Sequence, residues 1–227
     1  MLATFAVGLI SNFKLQDGLF ADGGLMANAA AHPAKIGLIT VLGLATSLLS
    51  LGIANLLSYR FRNEFPALLR FYVAILTAGL ALTLIEFSTL IAFRELSEAN
   101  RAGAESGTYA AAGVALGGLR NGVHFLDKLL GGLSVVTLFW FLFSSRLLPR
   151  WIASFGMLGA ALQMMAVGRA VFGLDVAFSL LAPLSLAFLL TMGWLLAFGF
   201  AAASEERTSS TAAALSPDQP HQSKWAR

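Results

Sequence analysis

The sequence contains no cysteine, and this absence excludes several kinds of chemistry at once. Disulfides, thiolate nucleophiles and the cysteine-ligated zinc and iron–sulfur centres all need a sulfur atom that this chain does not supply. Cysteine usage therefore says nothing about the redox state of the compartment in which the protein works.

Charge is the second scarce feature. Only 12% of the residues are charged and 57% are hydrophobic, too few polar groups to cover a water-soluble globule of this size. The formal net charge of +3 comes from 15 Lys and Arg against 12 Asp and Glu, most of them lying between apolar runs or near the C-terminus. No continuous basic surface is left to follow a phosphate backbone. The composition predicts an integral membrane protein with the lipid bilayer as its partner, and it argues against nucleic acid.

Recognisable catalytic motifs are also missing. The chain has no HExxH, no GxSxG and no phosphate-binding Walker loop, which are the spacings that mark common hydrolases and nucleotide-binding enzymes. These absences argue against an enzyme without excluding one, and no cofactor is expected.

Long apolar runs are what the sequence has in abundance. A helix rises about 1.5 Å per residue, so about 20 apolar residues cross the hydrocarbon core of about 30 Å. Five runs suit this length, the third of them after extension back to about residue 120: 36–57, 71–93, 129–145, 151–168 and 176–204. Pro66 and Pro183 precede or open two of these runs, where a proline fits the first turn of a helix.

The N-terminal run is shorter than the others. Residues 1–13 are uncharged, but a helix of that length covers only about 20 Å. A signal peptide is the alternative, although the run lacks a positive start and a convincing cleavage site. A start methionine placed too far downstream would give the same pattern. We predict an all-α bundle of six transmembrane helices, the first of them short or truncated.

The remaining segments complete the domain organisation. We predict that residues 1–204 form the helical bundle and that 205–227, which mix Ser, Thr, Pro and charge, form a disordered polar tail. Residues 14–35 are rich in turn-forming residues and predict a loop. Residues 94–118 predict a second long connection, partly helical.

Basic residues in the short loops predict the orientation. Three arginines lie in the loop after the second span, and Arg146 and Arg150 flank the turn after the fourth. Six spans place both loops on one side, which the positive-inside rule assigns to the cytoplasm, although the opposite loops also carry basic residues. We predict a multi-pass protein of the cell membrane with both termini in the cytoplasm.

The stretch "FSSRLLPRWIASFGMLGAAL" carries a resemblance to a known family. With its "SRLLPRW" turn between two helices and an acidic residue in the third span, Glu86 in "LTLIEFSTL", the chain resembles the bacterial integral-membrane family called domain of unknown function 4386. The resemblance covers about residues 36–200. Members often carry an arginine one turn before the acid, where this chain has Thr83. The resemblance implies a membrane fold and brings no reaction with it.

Ionisable residues inside the spans are the most informative feature. The stretch "GVHFLDKLLGG" places His124, Asp127 and Lys128 where the fourth span begins. Glu86 and this group are expected at a similar depth, about 10 Å from the interface opposite the arginine-rich loops. A charge at the centre of a span costs about 2.5–3.5 kcal/mol on insertion scales, so these groups should face one another.

We therefore predict a polar cluster in the outer half of the bundle, and a small polar ligand as the partner it could bind. Its predicted members are Glu86, His124, Asp127, Lys128 and Arg169. One alternative is that Arg120, Asp127 and Lys128 extend to the headgroups while Glu86 is a structural carboxyl. A metal site is not expected, because the cluster has a single histidine and no spaced ligand motif.

Two classes of function stay open at this stage. The first is a structural, sensory or partner-binding membrane protein whose ionisable residues shape the bundle. The alternative is a transporter or binding protein for a small polar solute, although the chain shows no inverted pair of broken helices of the kind found in many transporters.

Overall fold

In the computed structural model, the described residues are 15, 18–20, 24–102 and 106–199, and the fold among them is helical. The predicted all-α fold is therefore confirmed. The predicted first span at 1–13 and the predicted tail at 205–227 lie outside the described residues.

Six α-helices and two short 3₁₀ turns make up the described chain. The helices are α1 Gly24–Asn28, α2 Pro33–Arg60, α3 Pro66–Arg101, α4 Ser106–Ser144, α5 Arg150–Val171 and α6 Ala182–Phe198. The 3₁₀ turns are Ala29–Ala31 and Phe178–Leu181. Within this part of the chain, α2 to α5 and the segment Phe178–Phe198 are each long and apolar enough to cross a membrane. Five of the six predicted spans thus correspond to helices.

Proline residues set where three of the long helices begin. Pro33, Pro66 and Pro183 occupy the first turn of α2, α3 and α6. A proline lacks the N–H that would be unpaired in a first turn, and its fixed φ already suits a helix. Each long helix packs against the next one along the chain, so short connections generate neighbours that run in opposite directions.

The "SRLLPRW" turn between α4 and α5 is tied into the core. Leu147 and Leu148 are 6% and 3% exposed, and Arg146 adopts a left-handed φ of 55° that reverses the chain. Pro149 then caps the start of α5. The two leucines pack this loop against the bundle at the point where the chain passes from α4 to α5.

Two predicted loops contain more helix than the sequence suggested. Residues 94–118 form the end of α3 and the start of α4, with only 103–105 outside the described chain between them. Within 14–35 the chain forms α1 and a 3₁₀ turn. We call residues 18–20 and 24–31 the N-terminal cover. Leu19 and Ala29 in it are fully buried, and the Ala30 N–H donates to Ser97 Oγ at 3.2 Å, so the cover is folded onto α3.

Two separate apolar clusters hold the bundle together. The larger cluster, near the arginine-rich loops, consists of the buried residues Leu69, Phe139, Phe141, Leu142, Leu147, Leu148, Ile152, Ala153, Ala160, Leu184 and Ala187. The smaller cluster, under the N-terminal cover, consists of Leu19, Leu25, Ala29, Ile36, Ile39, Leu90 and Phe93. Along α2, α3 and α4, the residues between these clusters include most of the polar side chains of the spans.

Candidate functional site

A cavity of about 190 Å³ lies between the two apolar clusters. Helices α2, α3, α4 and α5 all contribute to its wall. The lining residues are Thr46, Ser47, Ser50, Ile75, Leu76, Gly79, Leu80, Thr83, Asp127, Lys128, Leu130, Gly131, Ser134 and Gln163. Every one of these four helices supplies at least one polar side chain, so polar groups lie within a lining that is otherwise mostly apolar.

Hydroxyl groups on α2 and α4 form part of this wall. Thr46 Oγ1 donates to the Leu42 carbonyl at 2.7 Å, and Ser50 Oγ donates to the Thr46 carbonyl at 2.9 Å. Ser134 Oγ donates in the same way to Gly131 at 2.7 Å. A hydroxyl that gives its proton to its own helix keeps its lone pairs. These oxygens can therefore accept hydrogen bonds from a guest in the cavity.

An ion pair lies at one edge of the cavity. Lys128 Nζ is 3.0 Å from Asp127 Oδ2, and Thr83 Oγ1 donates to the other carboxylate oxygen at 3.3 Å. A Cβ built on Gly79 would stand 3.9 Å from Asp127 Oδ1, so the carboxylate packs directly against the backbone of α3. The Asp127 side chain is 17% exposed and that of Lys128 44%. The lysine is thus the more accessible partner.

A second charged group lies about one turn nearer the N-terminal end of α4. Its members, which we call the Glu86 cluster, are Glu86, Arg120 and His124. His124 Nδ1 is 2.9 Å from Glu86 Oε1, and Arg120 Nη2 is 3.6 Å from the same oxygen. The side chains of Glu86 and Arg120 are each only 10% exposed. A buried carboxylate is therefore held between two groups that can carry positive charge.

The N-terminal cover contacts the Glu86 cluster through Phe20. The Phe20 ring lies 4.8 Å from the guanidinium carbon of Arg120, a distance at which the ring face attracts the cation. Arg120 Nε is buried without a hydrogen-bond partner. The cover thus meets Arg120 through an aromatic face and leaves part of its hydrogen-bonding capacity unused.

The two charged groups follow each other on the same pair of helices. His124 and Lys128 are four residues apart on α4, so they share a face about 6 Å apart along the axis. Thr83 and Glu86 are three residues apart on α3 and contact Asp127 and His124 respectively. The Glu86 cluster is therefore the neighbour of the cavity on the side of the N-terminal cover.

Four of the five residues predicted for the polar cluster lie in these two groups. The structure pairs Glu86 with His124 and Asp127 with Lys128. Arg169 lies elsewhere: it is exposed, and its Nε donates to the Asp175 carbonyl at 3.1 Å. An arginine in the last turn of a helix commonly binds the carbonyls that follow it, and that local contact holds Arg169 at the end of α5.

Sequence reasoning missed two contributions to the site. Arg120 was offered as a residue reaching the headgroups, whereas its side chain is buried against Glu86. Gln163 and the hydroxyls of α2 were not among the residues predicted for the cluster. Thr46 and Ser50, four residues apart in an apolar run, were the signal that could have revealed this wall.

Metal ligands do not gather in the parts of the chain that the structure describes. No group of three or more His, Asp or Glu side chains there could hold a metal ion. The Glu86 cluster offers one carboxylate and one imidazole, fewer than the three protein ligands of a catalytic zinc site.

A family model matches most of the chain. The family model described as "Domain of unknown function (DUF4386)" matches residues 1–199. No curated protein and no solved structure matches the chain.

Proposed function

The chain belongs to the DUF4386 family, and from that premise we propose that it is a multi-pass protein of the cell membrane that binds a small polar solute inside its bundle. The observation that carries the proposal is the cavity of about 190 Å³ with an ion pair on its wall. Here Asp127 and Lys128 border open space.

The depth of the cavity strengthens the proposal. Thr46 lies about 15 Å along α2 from Ile36 and at a similar distance from Leu57, which places the cavity near the middle of that span. Ionisable groups at such a depth are costly, and in membrane proteins they commonly mark substrate or ion pathways. The Asp127–Lys128 pair occupies the position expected for such a role.

The volume limits the solute to a small one. The cavity has a volume of about 190 Å³ and is partly open at the surface of the bundle. Pockets for drug-sized ligands span about 300–1,000 Å³. We therefore propose a solute of the size of glycine, acetate or glycerol.

A second candidate, a partner-binding or structural role, is favoured by one surface of α4. A Cβ built on Gly118 or Gly122 would meet nothing within 4 Å, so this GxxxG pair faces away from the bundle. Small residues at this spacing let membrane helices approach closely. The same chain could thus bind another membrane helix through α4.

A cavity-filling variant tests solute binding. A Cβ on Gly131, a lining residue, meets nothing within 4 Å, so Gly131→Leu should fill the void without a backbone clash. The matched control is Gly118→Leu, on the outward face of the same helix. We expect glycine, glycerol, acetamide or acetate to raise the thermal unfolding temperature of wild-type protein and of Gly118→Leu in lipid nanodiscs, but not that of Gly131→Leu.

The stabilisation should follow mass action, reaching about 2.7 kcal/mol at a solute concentration one hundred times the Kd. A shift that persists in Gly131→Leu would place binding outside the cavity. No shift with any of the four solutes would refute the proposal.

A further inference from the structure

The charged groups around the cavity balance one another. Glu86 and Asp127 carry two negative charges, and Arg120 and Lys128 carry two positive ones. Residues 36–58 of α2, 151–168 of α5 and 182–198 of α6 contain no Asp, Glu, Lys, Arg or His. The described part of the N-terminal cover adds none either. With a neutral imidazole on His124, the charges of the described residues around the cavity sum to zero.

Other titratable groups on these elements lie at their ends. Arg70 and Tyr72 of α3 are at least 14 residues, or about 21 Å, before Glu86. On the opposite side, His32 and Lys35 lie beside Gly18, and Arg94 pairs with Glu95 and Glu98. His124 is therefore the group within the site that is able to change the balance, since imidazole alone among these side chains ordinarily changes charge between pH 5 and 8.

The geometry assigns the atom of His124 that gains the proton. Glu86 Oε1, an acceptor, is 2.9 Å from Nδ1, so the neutral ring carries its hydrogen on Nδ1 and leaves Nε2 free. The His124 side chain is 30% exposed, so the ring is not sealed inside the protein. A proton from water therefore adds to Nε2 while the hydrogen bond to Glu86 stays in place.

We propose that the solute is a small monoanion, such as a short carboxylate, and that each anion binds together with one proton held by His124. This proposal rests on the proposed solute binding in the cavity. An anion entering alone would leave one uncompensated negative charge at the depth of the spans, where an unpaired charge is costly. Protonated His124 restores neutrality one turn of α4 away.

The contacts of the bound anion follow from the same wall. Lys128 Nζ, the more exposed partner of the ion pair, donates to the anion and gives up part of its contact with Asp127 Oδ2. Asp127 keeps the hydrogen bond from Thr83 at its other oxygen. The proton comes from bulk water, no covalent bond of the anion changes, and the total charge of the loaded site is again zero.

Binding measurements at several pH values test this coupling. The probes are acetate and nitrate, with acetamide as an uncharged match for acetate, added to the purified full chain in nanodiscs. Because one proton is bound with each anion, we expect the Kd for acetate to weaken as pH rises from 6 to 8.5, approaching about tenfold per pH unit at the alkaline end. In weakly buffered solution, about one proton should be taken up per acetate bound. An acetate affinity independent of pH would overturn the proposal.

Wild-type protein allows a direct observation of the proton. The chain has three histidines, so imidazole labelling with ¹⁵N yields three sets of signals, which His32→Gln and His221→Gln assign. At constant pH 7.5, acetate should move the His124 signals from the neutral towards the protonated form and leave those of His32 unchanged. Saturating acetate that leaves His124 neutral would refute the coupling without any variant of the site.

Variants distinguish proton-coupled binding of the anion from binding of a solute without a proton. His124→Gln can still hydrogen-bond to Glu86 but cannot titrate, so it should lose the pH dependence of acetate binding, whereas His32→Gln should keep it. If acetamide and glycerol bind and acetate binds no more tightly at low pH, solute binding stands and the anion–proton coupling falls. If no probe binds the wild-type protein, both proposals fall.

Discussion

The partners of the Glu86 side chain come from α4 and not from its own helix, α3. Arg120 and His124, one turn apart on α4, both approach the same carboxylate oxygen. A carboxylate that is 10% exposed cannot rely on water, so its charge must be balanced by these partners. At the scale of single residues, the contact between α3 and α4 is therefore electrostatic as well as apolar.

Removing Glu86 alone should lower the free energy of unfolding more than removing Glu86 together with Arg120. We expect Glu86→Leu to lower the free energy of unfolding by about 3 kcal/mol, because it leaves Arg120 buried without a counter-charge. The double variant Glu86→Leu with Arg120→Leu should recover most of that loss. Denaturation in micelles by increasing SDS measures both, and the difference between them is the coupling between the two side chains.

An exposed ion pair provides the control for this comparison. Glu95 is 61% exposed and pairs with Arg94 on the same helix, so Glu95→Gln should change stability little. Equal losses in Glu86→Leu and in the double variant would show that Arg120 does not depend on Glu86.

The residue pattern predicted part of this arrangement for a clear reason. Arg120, His124 and Asp127 have i, i+4, i+7 spacing, which puts them on one face of a helix, and the cost of lone charges requires partners for Glu86. Which cation would reach Glu86 depended on the rotation of α4 against α3, which spacing along one helix does not contain. Arg169 shows the same limit, because a local carbonyl of the α5–α6 connection holds it.

Close backbone contact between helices is decided by single glycines. A Cβ on Gly159 of α5 would lie 2.8 Å from the Cα of Leu184 and 2.9 Å from its backbone nitrogen. Backbone atoms cannot rotate away as a side chain can, so α5 and α6 would have to separate. At the scale of elements, this glycine sets the distance between the last two helices.

Adding one methyl group should measure that contact. We expect Gly159→Ala to lower the free energy of unfolding by about 1–3 kcal/mol through overpacking. Gly193→Ala on α6, where a Cβ meets nothing within 4 Å, should be neutral or stabilising by up to about 1 kcal/mol, because alanine favours helix over glycine. Thermal unfolding of both variants in one detergent provides the comparison, and similar losses would argue against a close α5–α6 contact.

Elements were predicted best where local chemistry decides them. Apolar run length and the prolines at 33, 66 and 183 fix the long helices, because both act within a turn or two. The N-terminal cover was predicted as a loop from its Gly, Asp and Asn content. Its fold depends on Leu19 and Ala29 packing against distant residues, and no local pattern reports that contact.

The order of the spans gives the whole molecule two distinct faces. The α2–α3 and α4–α5 connections lie on one face, and the α3–α4 and α5–α6 connections lie on the other. The positive-inside rule assigns the first, arginine-rich face to the cytoplasm. This assignment is a prediction about the molecule as a whole and is independent of the site.

Single cysteines can test this topology without background, since the chain has none. We expect Glu98→Cys and Phe172→Cys to react with a membrane-impermeant maleimide on intact cells. Asn63→Cys and Ser144→Cys should react only after permeabilisation. Labelling of the second pair on intact cells, with the first pair protected, would invert the orientation and leave the fold unchanged. Labelling of Asn63→Cys together with Glu98→Cys would contradict a crossing by α3.

The unequal size of the two apolar clusters has a consequence for exchange with solvent. Among the described residues, the larger cluster contains more buried apolar side chains, including Phe139 and Phe141, than the cluster beneath the N-terminal cover. The free energy of opening grows with the apolar area exposed. We therefore expect the end of the bundle near the arginine-rich loops to open less readily than the end under the N-terminal cover, and exchange with solvent along the axis to occur mainly through the second end.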